Sequence, residues 1–291
     1  MTVQAQTNKI LIENNIGRKL WVWDSDSFYT QRLKGSPYQK QNLLHLRKLV
    51  PTPRTMLDIG MNIGMNTIEY ATWAKQVHGF EPVPATYQTA LENIDLNRNE
   101  FSQDKGWWKE NDSWASLEIT GDIKTHNIAL GPQGGPSQVE IHIKKNDGHN
   151  RVANDNGDFT TVSGKPIKRN EGYQRVAIEQ RTLDSYQFDD VDVIKIDTEG
   201  YELLVLEGAE DTIARNRPIV QIECVEIQPR AFGRTIQELM DYFNDRDYVI
   251  TTADGQVRGS DWVYVPKMMD RFMIPKERTD LYSDTFNNLF E

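Results

Sequence analysis

Two spacings of apolar residues run along the chain, one of period two and one of helical period, and the switches between them mark out the elements. Ile10 to Ile12 and Leu20 to Trp23 are short apolar stretches on either side of Asn14-Asn15-Ile16-Gly17. Trp21 and Trp23 alternate with their neighbours, which predicts a half-buried hairpin. Ser36-Pro37 reads as a helix start, and Leu43, Leu46 and Val50 give the stripe that follows. Pro51 and Pro53 end that helix and lead into an apolar strand, Thr55 to Ile59. A helix over Asn66 to Lys75, a strand over Gln76 to Phe80 and a helix over Pro84 to Leu96 come next. Strand, helix, strand, helix predicts a parallel sheet with right-handed crossovers.

The rhythm then breaks. Arg98 to Ser116 is polar but holds Trp107, Trp108 and Trp114, as an insertion packed down by its tryptophans would. The third strand falls within Lys124 to Leu130. Gln138 to Ile143 and Tyr173 to Glu179 alternate as half-buried strands. Between them, Lys144 to Lys168 is rich in Gly, Asn and Asp; a loop that long is usually functional, and it is the candidate substrate lid. Arg181 to Tyr186 starts a short helix. Val191 to Ile196 is the fourth core strand, followed by a helix over Tyr201 to Leu206 that Gly208 closes. Ile219 to Val225 is the fifth strand, and Thr235 to Asn244 a helix. Asp247 to Thr252 and Asp261 to Pro266, joined through Ala253-Asp254-Gly255, read as a terminal hairpin that brings one antiparallel strand into the sheet. The expected organisation is an N-terminal extension over 1–50, an α/β domain over 51–266 with insertions near 98–118 and 144–175, and a surface tail over 267–291.

Composition narrows the picture without changing it. The 291 residues are 38% hydrophobic and 26% charged, a globular balance, and carry a net charge of −10. That charge argues against a general nucleic-acid surface. Cys224 is the single cysteine, so no disulfide can form within the chain, and its apolar setting reads as a structural thiol. No signal-peptide pattern opens the chain and no apolar run approaches a membrane span; a cytoplasmic protein is the expectation.

Three stretches carry candidate chemistry. The first is Asp58-Ile59-Gly60-Met61-Asn62-Ile63-Gly64, a strand end bent by glycines into a helix start. It departs from the dinucleotide pattern G-x-G-x-x-G because Asn62 stands where the second glycine would be. The second is Glu81, at the end of the next strand and about 20 residues on, where nucleotide-binding βαβ units place a ribose-binding acid. A carboxylate suits that role because it only accepts hydrogen bonds. The third is Val193 to Gly200, read VIKIDTEG. Asp197 ends a core strand, where open α/β sheets bind ligands. Lys195 and Asp197 are two apart and share a face of the sheet, so a structural ion pair is as open a reading as a reaction site. Asp197, Glu199 and Glu223 are oxygen ligands by type, but no tight spacing asks for a divalent metal, and no metal is assigned from the sequence.

Taken together, DIGMNIG, FEPVPATYQTALENIDLN, NIALG, RTLDS, VDVIKIDTEGYELLVLEGA and PIVQIECVE resemble the FkbM family of S-adenosylmethionine-dependent methyltransferases, in that family's order over about residues 50–226. The resemblance implies a class I methyltransferase fold, a Rossmann-like and mostly parallel seven-stranded sheet with helices on both faces. It implies S-adenosyl-L-methionine as cofactor. Asp58, Gly60 and Gly64 would flank its methionine part, Glu81 its ribose, and Asn127 and Ala129 its adenine; Met61, Asn62, Asn66 and Pro82 would complete that wall. Asp197 would lie near the methyl group. The acceptor it implies is a hydroxyl of a small molecule or carbohydrate. The base that takes the proton is sought among Asp197, Glu199 and His149, with Lys195 beside them. Two readings stay open beside this one: a nicotinamide-dependent oxidoreductase, against which Asn62 argues, and a non-catalytic binding module using the tryptophan-rich insertion.

Overall fold

The computed structural model describes residues 9–14, 17–23, 33–34, 39–99, 118–142, 150–153, 173–225, 228–252, 257–258 and 269–282. Two strands, β1 (Lys9–Glu13) and β2 (Lys19–Trp23), pair antiparallel as the expected hairpin, with Lys9 opposite Trp23 and Glu13 opposite Lys19. Helix α1 (Lys40–Leu49) begins later than Ser36-Pro37 suggested; those two residues lie outside the described ones, and Gln39 caps the helix in a left-handed conformation.

The main sheet has eight strands. Their order is β13 (Val257–Arg258), β12 (Tyr248–Thr252), β14 (Met269–Pro275), β11 (Ile219–Cys224), β10 (Val191–Ile196), β3 (Thr55–Ile59), β4 (Gln76–Phe80) and β5 (Asp122–His126). The run from β11 through β10, β3 and β4 to β5 is parallel throughout. Strand β14 is antiparallel to both neighbours, β11 and β12. Helices α2 (Met65–Tyr70) and α3 (Pro84–Asn99) connect β3, β4 and β5. Helices α4 (Glu202–Glu207) and α5 (Glu210–Asn216) connect β10 to β11, and α6 (Ile236–Asn244) leads into β12. This is the α/β architecture expected, with an eighth strand of two residues at its edge.

Four boundaries differ from the sequence reading. The antiparallel partner of β12 in the sheet interior is Met269–Pro275; Asp261 to Pro266 lies outside the described residues. Part of what read as a surface tail is therefore an inner strand, with Phe272, Met273 and Ile274 fully buried. Its sequence, MDRFMIP, puts charged residues inside a strand and hid it from a pattern search. The third strand divides: β5 joins the main sheet, while β6 (Ala129–Leu130) turns into a second sheet of order β6, β9 (Tyr173–Arg181), β7 (Gly135–His142) and β8 (Arg151–Val152). Helix α2 stops at Tyr70, short of Lys75. Helix α5 was not anticipated.

Strand β3 is buried at every position, as an inner parallel strand with helices on both faces must be. Its side chains alternate between two cores. Leu57 and Ile59 join one, with Ile194, Ile196, Val220 and Ile222. Met56 joins the other, with Val193, Ile219, Phe272 and Tyr70. On this second face the sheet changes character along its length. Moving toward the carboxyl ends of the parallel strands, Met56 is followed by Asp58, Val193 by Lys195, and Ile219 by Gln221 and Glu223. Register places Asp58 beside Lys195 and Lys195 beside Gln221. Asp270 of the antiparallel β14 pairs with Glu223 at that same end. One end of a single sheet face is thus apolar and the other is a row of buried charge.

Candidate active site

The turn after β3 is built by close approach. Gly60 has φ +79°, and a Cβ there would sit 1.9 Å from the carbonyl oxygen of Asp197, so only glycine lets the two strand ends meet. The amides of Gly60 and Met61 both donate to the carbonyl of Phe80, at 3.0 and 2.9 Å. Asn62 then takes a left-handed φ of 51°. This bend aims the Asn62 N–H at Glu81, which accepts it on Oε2 at 3.1 Å and the Val83 N–H on Oε1 at 2.9 Å. Glu81 is buried, and burial pushes its carboxyl up to about 7, opposed by these two amide donors.

A cleft opens at the carboxyl ends of β3, β4 and β10. The turn residues Gly60, Met61 and Asn62 form one wall with Met65 and Asn66 of α2. Phe80, Glu81, Pro82, Val83 and Thr86 continue it, and Ile128, Ala129 and Leu130 close the apolar end. Val139, Asn150 and Val152 reach over from the second sheet. Lys195, Asp197, Thr198, Glu199, Tyr201 and Glu223 make the polar end.

Three residues singled out in the sequence stand behind this wall. Asp58 is fully buried, accepts from Thr67 Oγ1 at 2.6 Å and lies 3.5 Å from Lys195 Nζ. It is a partner of the lysine, not a cleft residue, because its strand position points it into the second core. Gly64, at φ +85°, starts α2 against Ala90. Asn127 spends its amide on the carbonyls of Glu81 and Pro82, at 2.8 and 3.1 Å, and so fixes the Glu81 loop from outside. His149 lies outside the described residues.

Lys195 Nζ is 3.2 Å from Asp197 Oδ2, so the lysine bridges Asp58 and Asp197. Burial opposes its charge, but these two carboxylates more than offset that and hold its pKa well above the ordinary lysine value. It is an anchored cation, unfit to act as a base. Beyond Asp197 the chain turns through Glu199, at φ 56°, and Gly200, at φ 102°. Glu202 holds this turn: its Oε1 accepts from the amides of Thr198 and Gly200, at 2.9 and 3.1 Å, and from Thr198 Oγ1 at 3.1 Å. Glu199 accepts from Gln228 Nε2 at 2.7 Å.

Glu223 completes the polar end. Oxygen atoms of Asp197, Glu199 and Glu223 all lie within 4.8 Å of one another. Glu223 is buried, and burial together with Asp197 and Glu199 pushes its pKa well above the ordinary glutamate value. Behind the cluster, Gln221 donates to Asp270 Oδ2 at 2.6 Å, and Asn42 donates to the same atom. Asn66 of the cleft wall donates to Gln39 Oε1 at 3.0 Å. Sequence reasoning missed Glu202, Gln221, Asp270 and the apolar cleft residues of the second sheet. Only Glu202 left a local signal, a threonine and a glutamate spanning one helical turn after a strand end.

A family model described as Methyltransferase FkbM domain matches residues 58–250. No curated protein gives a significant match. Among solved structures, the methyltransferase FkbM from Methylobacillus flagellatus KT is 18% identical with a TM-score of 0.42, over 76% of this chain and 43% of that one. The chain therefore spans less than half the length of that relative. Trm1 from Pyrococcus horikoshii, in complex with S-adenosyl-L-methionine, is 15% identical with a TM-score of 0.44, over 94% of this chain and 63% of that one. TrmK from M. capricolum, in complex with S-adenosyl-homocysteine, is 10% identical with a TM-score of 0.36, over 84% and 81%.

Proposed function

The chain belongs to the FkbM methyltransferase family, and from that premise we propose that it moves a methyl group from S-adenosyl-L-methionine to a hydroxyl of a small molecule, sugar or glycan. The observation that carries the reading is the cleft itself, which joins a glycine-bent turn, a buried ribose-type acid and an acidic strand end at one point. Its walls fit the cofactor's parts. Glu81 is locked by two backbone amides, and its oxygens keep lone pairs for two ribose hydroxyls. Ile128, Ala129 and Leu130 suit the flat apolar face of an adenine. Gly60 lets the ends of β3 and β10 close on one another beside the cleft, since a Cβ there would strike the Asp197 carbonyl.

When bound, the cofactor supplies an electrophilic methyl group on a sulfonium. The chain's own residues do the rest. The cleft orients the acceptor for in-line attack, and a carboxylate at the polar end receives the hydroxyl proton, since a neutral hydroxyl is a weak nucleophile. Asp197 is the choice for that base: it ends β10, lines the cleft and is part exposed, while Lys195 holds it in place. Calorimetric titration of the protein with S-adenosyl-homocysteine and with NAD tests the assignment. Binding of the first and not the second is the expected result. Binding of neither, or of NAD alone, overturns it.

A further inference from the structure

Asp197, Glu199 and Glu223 come from three separate places, the end of β10, the left-handed turn after it and the inner strand β11. Carboxylates whose oxygens lie within 4.8 Å of one another repel, so ionising all three costs free energy that a bound cation would offset. Part of the cluster is already satisfied. Lys195 faces Asp197, and Gln228 donates to Glu199. Glu223 is different. It is 8% exposed, it lines the cleft, and its Oε2 has no hydrogen-bond partner among the described residues. A buried carboxylate oxygen left without a donor costs free energy, so it calls for a partner from outside the chain.

We propose that Asp197, Glu199 and Glu223 bind a divalent cation, with the free Glu223 oxygen as its innermost ligand. The donor set is all oxygen, without histidine or cysteine, which selects a hard ion of the magnesium, manganese or calcium type over zinc or copper. Three carboxylates supply half of an octahedral shell. All three residues line the cleft, so two neighbouring oxygens of an acceptor held there would be the natural source of further ligands. The acceptor class this favours is a compound with adjacent oxygens, such as a vicinal diol of a sugar. A hydroxyl on such an ion is also more acidic than a free one. What the ion does for the acceptor rests on the methyltransferase reading; its binding does not.

The test is a titration of the apoprotein with Mn2+ alone, following free Mn2+ by electron paramagnetic resonance, with S-adenosyl-homocysteine binding measured on the same preparations. One Mn2+ site is expected, weakened at least about tenfold in Glu223→Gln and in Glu199→Gln and displaced by excess Mg2+ or Ca2+. The second variant covers the first, because Glu199 is part exposed and its substitution leaves β11 intact. Absence of Mn2+ binding, or equal binding in wild type and both variants, overturns the cation site. Loss of S-adenosyl-homocysteine binding with Mn2+ binding retained overturns the proposed function instead, so the two failures are told apart.

Discussion

Glu81 and Lys195 are both buried charged residues, yet the chain treats them in opposite ways. Lys195 has two carboxylates within ion-pair distance and keeps its charge. Among the described residues Glu81 has two backbone amides as donors and no ion-pair partner, and burial raises its pKa to about 7. A ribose hydroxyl donates best to the ionised form. Affinity for S-adenosyl-homocysteine should therefore rise with pH toward about 7 and level off above it, as the proton leaves Glu81. Glu81→Gln should flatten that profile and lower the plateau affinity about tenfold, from loss of a charge-assisted hydrogen bond. Calorimetry between pH 5.5 and 8 checks both; a wild-type profile as flat as the variant's removes Glu81 from the site. The place of Glu81 in the cleft was legible in the sequence, from its position at a strand end after a glycine turn. Its raised pKa was not, because desolvation depends on what surrounds the carboxyl and not on its neighbours in the chain.

At the scale of elements, the turn between β3 and α2 fixes the cleft. Its three left-handed residues, Gly60, Asn62 and Gly64, make a bend that ordinary side chains resist. Gly60→Ala adds left-handed strain of about 1–3 kcal/mol and a clash with the Asp197 carbonyl. The variant should lose at least about 2 kcal/mol in urea unfolding and lose S-adenosyl-homocysteine binding as well. Unchanged stability would mean that β3 and β10 do not meet there. The glycines marked this turn in the sequence. The same pattern did not show that Gly60 answers to Asp197, which lies far along the chain and reaches it only through the pairing of β10 with β3. Helix α6 was legible for a local reason, the apolar stripe of Ile236, Leu239 and Tyr242 or Phe243; the structure adds a reciprocal capping box of Thr235 and Glu238 at its start.

At the scale of the molecule, β14 decides whether the sheet closes. It sits between β11 and β12, and each of its two neighbours pairs with it over five residues. It also carries Asp270, which meets Gln221 behind the acidic cluster and whose carboxyl burial raises to about 6. A chain ending at residue 268 would leave two inner strands with unpaired edges and expose Phe272's partners. It should show no cooperative unfolding transition by circular dichroism, where a dispensable tail would leave the transition unchanged.

The sequence by itself determined the alternation of strands and helices, the parallel core, the glycine turn and the acids that end the strands. Each of these is a local matter of period, turn chemistry or residue type, and each can be read from a few consecutive positions. The family resemblance rests on the same local stretches. Tertiary structure alone decided which acids share a space. Asp58 fell behind the wall and Glu223 came into it because the two share one sheet face at different levels: register sets Asp58 beside Lys195 and Lys195 beside Gln221, and Glu223 lies two residues nearer the carboxyl end, where the cleft opens. It also decided that β14 is an inner strand, since burial on both faces overrides a sequence that reads as mixed and polar. Charge neutralisation in the polar end is a property of four strands meeting, β3, β10, β11 and β14, and no single stretch of the chain contains it.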